Sequence, residues 1–194
     1  MLDLEQAGKL TDEELVIRSL ENQENFLYLI QRYKLKIFNF IKRITNVPDE
    51  DAEDLLQDIF FKVYLNLNGF DADLKFSSWI YMIARNQVIS SHRKLKARAE
   101  GYSYPLSDEI AQRLVSEFDL KKDMDNKILK DNIEKILDGL NEKYRVALVL
   151  KFLEEKSYVE ISDILKKPIG TVGSLLNKAK LEFKKELLRQ DIKL

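Results

Sequence analysis

The sequence predicts an all-α protein: two small helical domains joined by a flexible linker. Three observations carry that prediction. Apolar residues recur at helical spacing along most of the chain. Only 6 Gly and 3 Pro occur in 194 residues, too few for a turn-rich β protein. One acidic stretch, 99–125, interrupts the helical pattern between two blocks that hold it.

Taken in order, Thr11-Asp12-Glu13-Glu14 has the capping-box spacing and starts the first domain. A long amphipathic helix follows over roughly 23–46. Its apolar stripe runs through Phe26, Ile30, Tyr33, Ile37, Phe40, Ile41 and Ile44. Pro48 punctuates it. The run PDEDAED then opens a helix over about 50–67, with carboxylates in the first turn where the positive end of the helix dipole favours them. Leu56, Ile59, Phe60, Val63 and Leu67 form its inward face. The loop NGFDADLK, 68–75, breaks the pattern, and a third helix runs from Phe76 to about Arg98. Residues 99–125 hold 7 acidic and 3 basic side chains with Gly101 and Pro105, which reads as a linker with at most a short helix over 108–117. Helices are expected beyond it at 126–138, 141–153, 157–166 and 168–188. The domains are therefore placed at 10–98 and 126–190.

Composition excludes several classes of function. Cys is 0, so disulfides, thiolate metal sites and Cys nucleophiles are absent. The single His, His92, leaves no multi-His metal site. No phosphate loop or triad spacing supports an enzyme. No catalytic residue, metal, cofactor or small-molecule substrate is expected. No apolar run reaches the roughly 20 residues of a membrane span, and MLDLEQAGKLTDEEL lacks the apolar core of a signal peptide. A cytoplasmic location is the default expectation.

The net charge of −1 conceals a segregated pattern. Residues 1–60 hold 7 basic and 13 acidic side chains, 61–98 hold 7 and 2, and 126–194 hold 15 and 11. Two positive blocks suggest two polyanion-facing surfaces. Scattered surface charge would give the same numbers, so the decision rests on local motifs.

The sharpest motif is a pair of helices near the C-terminus. Ser157-Tyr158-Val159-Glu160 is a second capping box. A short break, Lys166-Lys167-Pro168, follows, with Pro168 suited to the first position of the next helix. Val172, Leu176, Ala179, Phe183 and Leu187 share an inward face of that helix. Thr171, Gly173, Ser174, Asn177, Lys178, Lys180 and Lys184 lie outside it. This is the pattern of a helix-turn-helix whose second helix fits a major groove about 12 Å wide. Thr171, Ser174, Asn177, Lys178 and Lys180 are its candidate DNA contacts. Ser and Asn suit base edges and Lys suits phosphates. A plain helical hairpin with a solvated basic face has the same pattern.

Two further surfaces lie in the first domain. From Phe76 to Arg98 there is no acidic residue, but there are Arg85, His92, Arg93, Lys94, Lys96 and Arg98. Phe76, Trp79, Ile80 and Ile83 share an inward face, with Trp79 a core anchor. Ser78, Tyr81, Arg85, His92 and Lys96 are expected opposite. A Tyr among cations can stack on an exposed base, and Asn86 can reach a base edge from the flank. Tyr81, Arg85, Asn86, His92, Arg93 and Lys96 are therefore candidate nucleic-acid contacts. For His92, a place beside phosphate and an idle surface place stand level. On the preceding helix, Asp54, Gln57, Asp58 and Phe61 form an acidic face with an exposed aromatic. Such a face repels DNA and suits a basic protein partner; a solvated acidic face is the plain alternative.

In this order the segments resemble bacterial RNA polymerase sigma factors, and within them the extracytoplasmic-function (group IV) members that have only the second and fourth domains. The stretch DAEDLLQDIFFKVYLNL resembles the family's core-polymerase-binding helix. FSSWIYMIARNQVISSHRK resembles its promoter-melting helix. LNEKYRVALVLKFLEEKSYVEISDILKKPIGTVGSLLNKAK resembles its upstream-promoter helix-turn-helix. The resemblance implies that Asp54, Gln57, Asp58 and Phe61 dock on the clamp helices of the polymerase β′ subunit. It implies that the 68–75 loop and the helix with Asn86 open the minus-ten element and hold a flipped-out base. Thr171, Ser174, Asn177 and Lys178 would read the minus-thirty-five element. The implied partners are core RNA polymerase, met at the β′ clamp helices and the β flap, promoter DNA, and an anti-sigma factor. The chain departs from the family at Gly173, where many relatives are basic, and at Leu175 and Met82, where Arg is common. A stand-alone helix-turn-helix regulator is the alternative, and it leaves the Phe61 face unexplained.

Overall fold

The computed structural model describes residues 4–71, 73–99 and 132–190. The N-terminal unit contains α1 (Leu4–Lys9), α2 (Asp12–Glu21), α3 (Phe26–Ile44), α4 (Asp49–Leu65) and α5 (Phe76–Ala99). Short 3-10 turns at Gln23–Asn25 and Leu67–Gly69 lead into α3 and out of α4. The C-terminal unit contains α6 (132–138), α7 (Glu142–Leu148), a π turn continuing it (Val149–Leu153), α8 (Tyr158–Leu165) and α9 (Ile169–Arg189). The described residues form no strand, in agreement with the predicted all-α class. The expected short helix at 108–117 and the first residues of the expected 126–138 helix lie outside the described residues.

Helix α3 is the centre of the N-terminal unit, packed by α2, α4 and α5. Of its predicted stripe, Phe26, Tyr33, Ile37, Phe40, Ile41 and Ile44 are buried, while Ile30 is half-buried at the edge facing α4. Leu56, Ile59, Phe60 and Val63 of α4 meet it. Phe76 is fully buried and packs edge-on to Tyr33 and Phe70, at 5.4 and 5.8 Å between ring centroids. Trp79 lies 5.3 Å from Phe70 and 5.8 Å from Phe76. Each aromatic pair contributes about 0.5–1.5 kcal/mol beyond its burial. The cluster therefore ties the loop after α4 to the start of α5; Trp79 is half-buried at its edge, packed against the core and not fully inside it as expected.

Polar contacts set the entry angles of the helices. The Thr11 hydroxyl accepts from the Glu14 N–H at 3.2 Å, and the Thr11 N–H donates to Glu14 at 2.7 Å, completing the predicted capping box. Glu13 accepts from the Phe76 N–H at 2.9 Å, so α2 caps α5 from across the fold. Helix α1 was not expected from the sequence. The Arg32 guanidinium holds it, donating to the Ala7 and Leu10 carbonyls and to Asp12, all at 2.7 Å. The Tyr33 hydroxyl also donates to Asp12. Burial, then that carboxylate, pushes the Tyr33 phenol well above its ordinary range.

In the C-terminal unit, α7 and α8 both pack on α9. Ile161, Ile164 and Leu165 of α8 are buried with Val172, Leu176 and Ala179 of α9. The turn between them uses Lys166 in the left-handed region, φ 51°. The Lys167 N–H donates to the Ser162 carbonyl at 3.1 Å, and the Ser162 hydroxyl donates back to the Lys167 carbonyl at 2.6 Å. Pro168 is the N-cap residue, one place earlier than predicted, because the helix begins at Ile169. The missing N–H is harmless at either position.

Ser157 caps α8 with Glu160 as the sequence predicts: its hydroxyl accepts from the Glu160 N–H at 3.2 Å and its own N–H donates to Glu160 at 2.9 Å. Burial alone would raise the Glu160 carboxyl. The Ser157 hydrogen bonds, then Lys156 and Lys75, outweigh burial and hold it below the ordinary glutamate value. A depressed carboxyl stabilises the fold above its unfolded pKa and loses that contribution as pH falls through its folded pKa. Ser157→Ala is expected to cost about 1 kcal/mol at neutral pH, a fall in Tm of several degrees. Thermal melts in an acid series should show the gap to the parent shrinking below the ordinary glutamate range.

The two units touch. α5 packs along α8, and α3 meets α7 and the π turn. This contact was outside the reach of the sequence pattern, and it changes the surroundings of one predicted site residue.

Candidate nucleic-acid interface

Three surfaces carry the residues singled out in the sequence. On α4, Asp54, Gln57, Asp58 and Phe61 are all exposed, and Phe61 is 62% exposed. Beside them Phe26, Ile30, Lys34, Leu56, Phe60 and Tyr64 line an apolar groove of about 430 Å³ between α3 and α4. Asp58 accepts a hydrogen bond from the Gln87 amide of α5 at 3.0 Å, and Lys62 donates to the other end of that amide. Asp58 thus belongs partly to the α4–α5 packing. Leu35 of α3, 69% exposed, and Phe38 extend the apolar groove. The α4 pattern alone missed them because they come from the neighbouring helix.

On α5, Asn86 is exposed and its carboxamide oxygen accepts from Arg85 at 3.1 Å. Asn86, Trp79, Met82, Ile83, Gln87 and Ser90 face Lys62, Asn66 and Gly69 across a cleft of about 380 Å³. This is a half-apolar, half-amide cleft beside the loop that follows α4. His92, Arg93 and Lys96 fall on the last turns of α5, where the side chains lie outside the described residues. Tyr81 differs from the expectation. Its side chain is 2% exposed, and Ser78 is equally buried. The wheel assigns α5 one buried face, whereas the C-terminal unit covers a second.

On α9, Ser174, Asn177 and Lys178 lie on the open face. At 3.6 residues per turn, Thr171 and Lys180 fall on its two flanks. The Lys180 ammonium lies 5.5 Å from the Phe152 ring centroid. The Ser174 hydroxyl donates to the Thr171 carbonyl at 3.0 Å. Gly173 has an ordinary helical backbone; a Cβ there would meet only the Tyr158 ring, at 3.9 Å. Leu175 packs partly into the core, so an Arg at that place would have to leave it.

The described residues thus present a helix-turn-helix with an open polar face, a cleft lined by apolar and amide side chains beside α5, and a separate acidic–aromatic face on α4. Comparison with known proteins identifies the family. The family model for Sigma-70 region 2 matches residues 29–98, and that for Sigma-70, region 4, matches 130–183. The ECF RNA polymerase sigma factor SigW of Bacillus subtilis (strain 168) is 34% identical over 179 residues, covering 86% of this chain and 90% of that protein. The ECF RNA polymerase sigma-E factor of Escherichia coli (strain K12) is 33% identical over 182 residues, 89% and 92% of the two chains. The fold is that of CnrH, solved in complex with the cytosolic domain of CnrY, at TM-score 0.68 and 19% identity over 93% of this chain and 99% of that one. It is likewise that of RpoE from Bartonella quintana, solved with the anti-sigma factor NepR, at TM-score 0.66 and 22% identity over 84% and 97%. The chain belongs to the extracytoplasmic-function sigma factors, the subunits that direct RNA polymerase to initiate transcription at promoters.

Proposed function

We propose that the unit over 10–98 docks on core polymerase and opens the minus-ten element, while that over 126–190 reads the minus-thirty-five element. The single observation that carries this is the acidic face of α4 with the exposed Phe61 beside an apolar groove. A free DNA regulator has no use for such a face. Asp54 and Gln57 meet basic residues of the β′ clamp helices, and Phe61 enters the contact as its aromatic anchor. The cleft at Asn86 receives a base extruded from the downstream element. Extrusion costs a few kcal/mol, which stacking and amide hydrogen bonds there offset. Arg85, His92, Arg93 and Lys96 hold the flanking phosphates, and Lys178 does so upstream. The protein performs no covalent chemistry itself, works where polymerase and template are, in the cytoplasm, and has an anti-sigma partner that hides these surfaces. The β flap is the polymerase's second contact, made with the C-terminal unit.

Run-off transcription with purified protein, core polymerase of the same organism and a genomic promoter pool tests this. Specific transcripts that require the protein establish the reading. Gel shifts without polymerase and no transcripts would replace it with a stand-alone regulator.

Gly173 offers a separate check on the upstream contact. The open space around it admits a long side chain. Gly173→Lys is expected to add one phosphate contact. Upstream-element binding by holoenzyme should tighten a few-fold and its log–log salt slope should steepen by about 0.9. An unchanged slope would place position 173 away from the DNA backbone.

A further inference from the structure

The contact between the two units is built around one buried carboxylate. Glu154, whose side chain is 7% exposed, accepts from the Arg43 guanidinium at 2.7 Å and from the Tyr81 hydroxyl at 2.5 Å. Tyr81 packs edge-on to Phe40 at 4.9 Å between centroids, and the Lys156 ammonium lies 4.5 Å from its ring centroid. Arg43, Phe40 and Tyr81 belong to the N-terminal unit; Glu154 and Lys156 belong to the turn that enters α8. Between them Glu155 adopts the left-handed backbone, φ 53°. That conformation is costly for a residue with a Cβ and persists where surrounding contacts hold it. Further links flank this centre: Lys75 to Glu160 at 3.6 Å, and the Arg145 guanidinium to the Ile44 carbonyl at 3.4 Å.

A buried carboxylate with two charge-assisted partners is strongly disfavoured once either is lost. The arrangement also conflicts with promoter reading. Elements near minus ten and minus thirty-five are about 25 base pairs apart, or about 85 Å at 3.4 Å per base pair. In the structure α5 and α8 are in contact, so the two units cannot sit on both elements at once. The chain between Ala99 and residue 132 can reach that far, at about 3.3 Å per residue.

We propose that Glu154, gripped by Arg43 and Tyr81, is an intramolecular latch that locks the helix-turn-helix unit onto α5 in the free protein, and that it must open when both promoter elements are read. Opening returns Tyr81 to the basic face on which the sequence places it. The opening step rests on the proposed function; the closed state does not.

Zero-length carbodiimide coupling of the native full chain tests it, with the Lys75–Glu160 amide read by peptide mass spectrometry. The free protein is expected to give that cross-link. Glu154→Lys should lower its yield at least five-fold and enlarge the hydrodynamic radius while helical circular dichroism is retained. The charge-swapped pair Arg43→Glu with Glu154→Lys should recover much of it. Core polymerase with promoter DNA should remove it from the wild-type chain. No cross-link in the free wild-type protein, or full yield in a folded Glu154→Lys variant, overturns the latch. A cross-link that persists in transcribing complexes overturns the opening step. Absent transcripts with the cross-link pattern of the free variants intact would count against the proposed function alone.

Discussion

Asp54→Arg is expected to lower affinity for core polymerase by about 100-fold or more, while leaving circular dichroism and thermal stability unchanged. Asp54 is exposed on the second turn of α4, so its replacement removes no packing. At a docking face, reversal turns an attraction into like-charge repulsion, which costs several kcal/mol. Phe61→Ala should act in the same direction, about 2 kcal/mol as truncated aromatic anchors do. Phe61 is 62% exposed, so the fold accounts for little of that loss, and a thermal melt of the variant separates the two. Asp58 is the poorer probe, because its carboxylate also receives the Gln87 amide and helps hold α4 to α5. Fluorescence anisotropy of labelled protein titrated with core polymerase measures the effect. Parent-like binding by both Asp54→Arg and Phe61→Ala would show that polymerase docks elsewhere.

Asn177→Ala is expected to lose about 1–3 kcal/mol of discrimination at one base pair of the upstream element, roughly 5- to 150-fold. Asn177 lies on the open face of α9, and a carboxamide both donates and accepts, as a base edge requires. Ser174 is less suited in the observed conformation, since its hydroxyl proton is committed to the Thr171 carbonyl. Lys184→Ala should behave differently. An exposed ammonium two turns further on suits phosphate and not a base edge, so its loss should weaken every sequence alike and flatten the salt slope by about 0.9. Holoenzyme binding to a panel of upstream-element variants at several salt concentrations separates the two. Equal, sequence-independent losses from both would undo the division between reading and anchoring.

Much of this site follows from residue spacing within single helices. The helices lie within a few residues of where apolar spacing puts them, and both capping boxes close as their Ser/Thr-x-x-Glu spacing requires. These features are local: hydrogen bonds three residues apart and side chains one turn apart follow from backbone geometry alone. The exposed faces of α4 and α9 follow from the same periodicity, since each helix has one apolar stripe to bury. Helix α1 escaped because its six residues carry too little pattern; Arg32, 22 to 25 residues away, holds its carbonyls.

Tyr81 marks the boundary of what local pattern can decide. A wheel gives α5 one inward face, and on that count Tyr81 belongs among the cations outside. The class, the order of the three surfaces and the residues on the α4 and α9 faces follow from residue order alone, because they depend on spacing within single helices. That α5 is covered twice, and that Glu154, 73 residues beyond Tyr81, meets its hydroxyl, emerges from the packing of the folded chain. The same packing sets Leu35 and Phe38 beside the α4 face. The difference is one of range. A helix fixes its own faces through turns of 3.6 residues, but which face meets which is settled by burying apolar area and pairing buried charge between segments far apart in the chain.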